Sequence, residues 1–246
     1  MVSVPALEAI PVWHGSGMDT TEFTALVDHT LLKAEATAEQ VRRLCEEAME
    51  YHTHSVCVNG LWVATVHGML GDSGVATCAV VGFPLGAGVP AAKAREAELA
   101  VEDGASEIDM VMSIGQAIEG DWDAVGRDIA AVRQACGPDA LLKVILETAV
   151  IGHDRIPRAC RVAVANGADY VKTSTGFHPS GGASVEAVRL MRETVGPGTG
   201  VKASGGIRDL ATVEAMVEAG ADRLGLSGTA AIVAEIERGG QPEAGR

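Results

Sequence analysis

The sequence predicts an α/β fold, a single closed (β/α)8 barrel of the TIM type with a short extra N-terminal helix. Three observations carry this. Eight short apolar segments alternate with eight stretches of helical spacing, the pattern of βα units in a parallel sheet. A Gly-Ala turn between a helix and a buried strand occurs three times at equivalent places. The length, 246 residues, accommodates eight such units, and no linker divides the chain.

Taken in order, residues 1–19 have little periodicity and read as an arm. A short helix covers 20–26, where the barrel domain (20–238) begins. Leu26–Thr30 is a first strand with a polar end. Thr37-Ala38-Glu39-Gln40 is a capping box, and Val41, Leu44, Cys45 and Ala48 follow at helical spacing. His54–Val58 and Val75–Val81 read as strands on either side of a helix at Leu61–Leu70. Pro90 suits the first turn of a helix that runs to about Asp103. The repeat then appears as Val101–Asp109, Val164–Lys172 and Val217–Gly225. Each copy reads as a helix stopped by a left-handed glycine (Gly104, Gly167, Gly220), then a buried strand. The fifth residue after each glycine, Asp109, Lys172 and Gly225, is expected near the C-terminal end of its strand. Between and after these copies lie helices at 121–136, 153–166, 184–195 and 209–219 and strands at Ala140–Glu147, 199–203 and 222–226. A last helix ends near Arg238, and 239–246 reads as a disordered tail.

Composition narrows the function. Hydrophobic residues make up 47% but aromatics only 3%, so the core is aliphatic. A net charge of −14 argues against nucleic acid and anionic membranes as partners, though not against a small anion held by local donors. Five cysteines, odd in number and without a CxxC, fit free thiols in a reducing cytoplasm. The first twenty residues lack a basic stretch and are broken by Pro5 and Pro11, so neither a signal peptide nor a membrane span is expected.

The lysines are the chemical signal. Of 19 basic residues only five are lysine, and Lys143, Lys172 and Lys202 lie in apolar strands. Arginine stays protonated, whereas an amine freed of its proton can form an imine. A lone strand lysine is ordinarily a structural ion pair, but two at neighbouring strand ends favour amine chemistry. Strand ends also supply Asp28, Cys57, Asp109, Glu147 and Ser227. Period-two alternation puts Lys143 and Glu147 on one face. Adjacent ammoniums are expected to depress one another's pKa, with carboxylates for balance. Ser204-Gly205-Gly206-Ile207 and Gly225-Leu226-Ser227-Gly228 follow the last two strands, where this fold commonly holds phosphate. Gly176 and Gly181-Gly182 could add donors. The histidines show no metal-ligand spacing, so neither metal nor cofactor is expected. Cys57 is expected to be an inert buried thiol, and Arg208 either touches phosphate or pairs with Asp209.

These residues resemble the deoxyribose-phosphate aldolase family, metal-free class I aldolases. The matching pieces include Asp28-His29-Thr30-Leu31-Leu32, Ser55-Val56-Cys57-Val58-Asn59, Gly82-Phe83-Pro84-Leu85-Gly86 and Glu107-Ile108-Asp109. Lys143 to Thr148, Lys172-Thr173-Ser174-Thr175-Gly176 and Lys202-Ala203-Ser204-Gly205-Gly206 complete the set, in family order over nearly the whole chain. The resemblance implies Lys172 as the Schiff-base lysine, Lys202 as the tuner of its pKa and Asp109 as part of a proton relay. Lys143, Asp28 and Thr30 would complete the polar network, and Gly176, Gly205, Gly206 and Ser227 would hold phosphate. The hydroxyls of residues 173–175 would handle the carbinolamine. Two features depart from the family. The tail has no tyrosine, and Gly228 stands where a second serine is often found. The implied reaction is reversible cleavage of 2-deoxy-D-ribose 5-phosphate to D-glyceraldehyde 3-phosphate and acetaldehyde, by a homodimer or homotetramer. An aldolase for another sugar phosphate, or a barrel that binds a sugar phosphate without turnover, are the alternatives.

Overall fold

The computed structural model describes residues 17–239, so the expected arm up to residue 16 and the tail from residue 240 lie outside the described residues. Helix α1 (Thr20–Ala25) precedes β1 (Val27–Leu31), α2 (Ala38–Tyr51), β2 (Ser55–Asn59), α3 (Val63–Leu70), β3 (Ala76–Val81) and α4 (Pro90–Glu102). Next come β4 (Glu107–Val111), α5 (Ile114–Glu119), α6 (Trp122–Cys136), β5 (Leu141–Ile145), α7 (Thr148–Ile151), α8 (Ile156–Ala165) and β6 (Tyr170–Lys172). The chain finishes with α9 (Val185–Val195), β7 (Gly200–Ser204), α10 (Leu210–Glu218), β8 (Arg223–Leu226) and α11 (Thr229–Glu237). Every strand pairs in parallel with its sequence neighbour, and β8 closes on β1 through Val27–Leu224 and His29–Leu226.

Local chemistry sets the element ends. The expected capping box at Thr37 forms, with Gln40 N–H donating to the threonine hydroxyl and Gln40 Oε1 accepting from Thr37 N–H. Asp19 and Glu22 make a second one at α1. The repeat glycines have φ of 101°, 93° and 106° at Gly104, Gly167 and Gly220, the left-handed region that costs glycine nothing. Their lack of Cβ also admits a helix side chain. Arg133 crosses Gly167 to reach Asp169 at 3.1 Å, and Arg192 crosses Gly220 to reach Asp222. Each aspartate in turn accepts from a strand N–H, Leu142 at 2.8 Å and Val201 at 3.0 Å. Two of the three repeat copies thus form a clamp at the strand N-termini, the end of the barrel that serves stability.

Two short helices, α5 and α7, add to the eight expected. At six and four residues they are too short for a 3.6-residue period to register. Strand β5 also stops earlier than expected. Glu147 adopts a left-handed φ of 54°, which ends the alternation that would have put it on the face of Lys143.

The aliphatic core lies between the sheet and the helices, built from Val56, Val58, Ile108, Val144, Val171, Val201 and Leu224 with Val41, Val66, Ile129, Val188 and Val213 from the helix layer. No helix among the described residues is long and apolar enough to cross a membrane. Lys93 of α4, which the sequence left without a role, is 1% exposed and donates to Asp128 of α6 at 2.6 Å and to Val111 O at 2.9 Å. Removing one partner of such a pair strands the other charge without water. Lys93→Met is expected to lower stability by about 3–5 kcal/mol. The double variant Lys93→Met, Asp128→Leu should recover much of that loss in urea unfolding.

Candidate active site

Alternation along the strands turns a second set of side chains into the barrel, and this set is charged. Asp28 (β1), Glu107 and Asp109 (β4), Lys143 (β5), Lys172 (β6), Lys202 (β7) and Arg223 (β8) are all buried. Asp109 is the hub. Its Oδ1 accepts from Lys143 Nζ at 2.8 Å, and its Oδ2 accepts from Lys172 Nζ at 2.6 Å and Lys202 Nζ at 2.7 Å. Lys202 also contacts Asp28 Oδ2, while Asp28 Oδ1 accepts from Arg223 and from Ser55 Oγ at 2.8 and 2.7 Å. Lys143 reaches Glu107 Oε2 at 2.6 Å, and Glu107 further faces His54 at 3.2 Å. Gly225 is the third repeat position, and its missing side chain makes this possible. A Cβ there would lie 3.0 Å from Lys202 Cε.

The electrostatics follow from pairing. Burial alone would raise the pKa of Asp109, yet Lys143, Lys172 and Lys202 hold it well below the ordinary carboxylate value. Asp28 behaves likewise through Lys202 and Arg223. Burial also works against Glu107, which Lys143 and Arg223 nonetheless bring to about 2. For Lys202 and Lys143 burial favours the neutral amine, but the carboxylates prevail and both lie above the ordinary lysine value. The expected mutual depression of neighbouring ammoniums therefore does not govern these two, because each touches at least two carboxylates.

The cluster opens upward into one pocket of about 360 Å³ at the C-terminal ends of β6, β7, β8 and β1. Of the three strand lysines, Lys172 alone among the described residues lines it; Lys143 and Lys202 are fully buried. The rim carries Gly176, Gly205, Gly206 and Ser227. Gly205 has a φ of 84° and sits between Gly176 and Gly182, where a Cβ would be 3.1 and 3.0 Å from their Cα atoms. Helix α10 is capped by its own Asp209, whose carboxylate accepts from Thr212 N–H at 2.8 Å. Helix α11 has no side-chain cap, and its leading residues Ser227 and Gly228 face the pocket. An N-terminus left open in this way suits an anion. Arg208 also lines the pocket.

Several sequence expectations are relocated. Thr30 lines the pocket, but its hydroxyl donates to the Asp28 carbonyl at 2.7 Å and not into the charge cluster. Glu147 accepts from Thr175 Oγ1 at 2.6 Å and from Thr175 N–H, apart from the lysines. Thr173 Oγ1 bridges Ser204 O and N–H at 3.2 and 3.0 Å. The hydroxyls of Thr173 and Thr175 thus tie β5, β6 and β7 together, which leaves them engaged before any substrate arrives. Cys57 is fully buried, as expected, and a hydrogen bond with Cys78 draws its pKa below the ordinary thiol value. Cys57, Cys78 and Asp109 bring three ligand-type atoms within 4.8 Å. Both Asp109 oxygens, however, already accept from ammonium groups, which would repel a cation. Glu107, Arg223 and Ser55 were missed from sequence. Each lies two residues from a position that the sequence set at a strand end (Asp109, Gly225, Cys57), so alternation along the strand points to them.

Comparison with known proteins agrees with this geometry. A sequence model of the DeoC/LacD family aldolases matches residues 23–234. The chain is 53% identical over 208 residues to a deoxyribose-phosphate aldolase from Geobacillus sp., covering 85% of this chain and 93% of that one. It is 54% identical over 216 residues to one from Kocuria rhizophila, covering 88% and 97%. The solved tetrameric deoxyribose phosphate aldolase of Aeropyrum pernix superposes with a TM-score of 0.82 at 33% identity, over 89% of this chain and 92% of that one. With its barrel, its buried lysines and this match over nearly the whole barrel, the chain belongs to the DeoC/LacD aldolase family and is a lyase.

Proposed function

We propose that this chain is a class I aldolase that reversibly cleaves 2-deoxy-D-ribose 5-phosphate to D-glyceraldehyde 3-phosphate and acetaldehyde, through an imine on Lys172. One observation carries the reading. Lys172 is at once paired to Asp109 at 2.6 Å and open to a pocket whose far rim is a glycine-lined anion cradle. A substrate with phosphate on Gly176, Gly205, Gly206 and Ser227 extends its aldehyde toward the barrel floor, where Lys172 stands. Full burial and pairing to two carboxylates argue against Lys202 as the nucleophile.

The Lys172 amine adds to the C1 aldehyde, and the carbinolamine loses water to give an iminium ion. A base takes the C3 hydroxyl proton, the C2–C3 bond breaks, and its electron pair passes to the iminium as an enamine. C3 leaves as the aldehyde of glyceraldehyde 3-phosphate. Protonation at C2 and hydrolysis by water release acetaldehyde and restore the amine. An imine requires a neutral amine. The cluster holds four basic groups against three carboxylates, so its charges balance when one amine is neutral. Asp109, with its depressed pKa, is a weak base. Its role is to hold the lysines in place and pass protons along Lys143, Asp109, Lys172 and Lys202, with Asp28 fixing Lys202. The described tetramer of the Aeropyrum pernix relative supports a homodimer or homotetramer. Five free, buried cysteines support a reducing, cytoplasmic setting.

Lys172→Arg is expected to abolish turnover and borohydride trapping of acetaldehyde together. Lys202→Leu should leave trapping intact but move it to more alkaline pH, because the variant loses a cation beside Asp109. Its turnover near neutral pH should fall on the order of a hundredfold. A reduced adduct mapped by mass spectrometry to Lys202 in the native enzyme would reverse the two roles.

Exhaustive chelation is expected to leave activity intact; loss restored by zinc or magnesium would overturn the class I reading.

Acid stability tests the cluster. Groups with depressed pKa stabilise fully above their unfolded values of 3.8 (Asp) and 4.5 (Glu), and that contribution is lost as pH falls through the folded ones. The melting temperature should therefore drop steeply from about pH 5 towards 2, with Glu107 alone worth on the order of 3 kcal/mol. A flat thermal profile across that range would contradict the ionised cluster.

A further inference from the structure

Outside the barrel, a chain of polar contacts buried at His29 and Thr229 joins β1, α2 and α11 through side chains that the proposed chemistry does not use. His29 of β1 is 2% exposed and points away from the lysine cluster, since its neighbours Asp28 and Thr30 face inward. Its Nε2 lies 3.0 Å from Glu47 Oε2 of α2, and its Nδ1 lies 2.8 Å from Thr229 Oγ1, the first residue of α11. Thr229 is fully buried. The carboxylate can only accept, so Nε2 carries the ring proton and Nδ1 accepts from the Thr229 hydroxyl. Burial drives His29 below its ordinary pKa against the pull of Glu47, which agrees with a neutral ring.

The position of Thr229 gives this chain of bonds a consequence. The two residues before it, Ser227 and Gly228, line the pocket, and α11 has no side-chain cap of its own to define its start. Beta pairing ends at His29–Leu226, so the ladder does not hold residues 227–229. The His29–Thr229 bond is the buried polar contact that fastens this turn to β1. A buried hydrogen bond with both partners in rigid elements can hold a loop to within the tolerance that anion recognition requires.

We propose that His29 is a positioning residue for phosphate: through Thr229 it fixes the start of α11, and with it Ser227 and Gly228, at the rim of the cradle. This rests on the phosphate assignment made above. It predicts a selective defect. Losing the strap loosens the phosphate end of the pocket and leaves Lys172, held on β6 by its own pairing to Asp109, in place.

The test compares KM and kcat for 2-deoxyribose 5-phosphate and for unphosphorylated 2-deoxyribose in Thr229→Val, His29→Leu and His29→Asn. Thr229→Val keeps the branched shape and removes only the hydroxyl, so it remains informative if His29→Leu does not fold. For Thr229→Val and His29→Leu, KM for the phosphorylated sugar is expected to rise about tenfold more than for the free sugar, close to 1.4 kcal/mol. His29→Asn retains an acceptor near Nδ1 and should restore most of the selectivity. Equal effects on both sugars, or none, would overturn the strap. Gly206→Val is the control for the cradle. If it changes phosphate selectivity while the His29 and Thr229 variants do not, the cradle stands and the strap fails. If none of the variants changes it, the cradle reading fails and the strap with it.

Discussion

Burying seven charged side chains inside one barrel is the constraint on which the rest of this structure depends. A charge taken out of water is costly unless it is paired with good geometry. Here Asp28, Glu107 and Asp109 interleave with Lys143, Lys172, Lys202 and Arg223, so that each group meets an opposite charge. The barrel interior is usually filled by branched aliphatic layers. In this chain most of those residues lie on the outer face of the strands, where they meet the helices, and the interior holds the ions beside a small apolar cluster of Leu32, Cys57, Cys78 and Val80.

That choice shapes the neighbouring residues. Gly225 carries no side chain because Lys202 passes beside it. Ser55 supplies a donor to Asp28, and Arg223 stacks on Tyr170 at 5.4 Å while serving two carboxylates. The hydroxyls of Thr173 and Thr175 are consumed in joining the ends of β5, β6 and β7. A charge network paired this densely is rigid, and rigidity is what places one amine at the pocket floor while its two relatives stay sealed.

The pocket above the cluster is organised by different means. Its rim is largely glycine backbone at close approach, set beside the starts of α10 and α11 instead of among ion pairs. The two ends of the pocket therefore respond to different perturbations: charge removal at the floor, loss of helix anchoring at the rim. The same division holds along the barrel axis, with the Arg–Gly–Asp clamps of Arg133 and Arg192 stabilising the strand N-termini far from the chemistry.

Much of this was legible in the chain alone. The eight-strand barrel, the left-handed repeat glycines, the capping box at Thr37 and the rarity of lysine each follow from local rules: periodicity, turn chemistry and composition. Local rules also placed Asp28, Asp109, Lys143, Lys172 and Lys202 at inward positions. They could not assign Glu107 or Arg223 to the cluster, or show Thr173 and Thr175 spending their hydroxyls elsewhere, since those bonds join residues 28 to 195 positions apart or turn on a single left-handed residue, Glu147. Nor could they separate Lys172 from Lys202, which end similar strands in similar sequence. Closure of the barrel decided that. It sealed Lys202 between two carboxylates and left Lys172 open to the pocket, because access to solvent is a property of the assembled walls and not of any one strand.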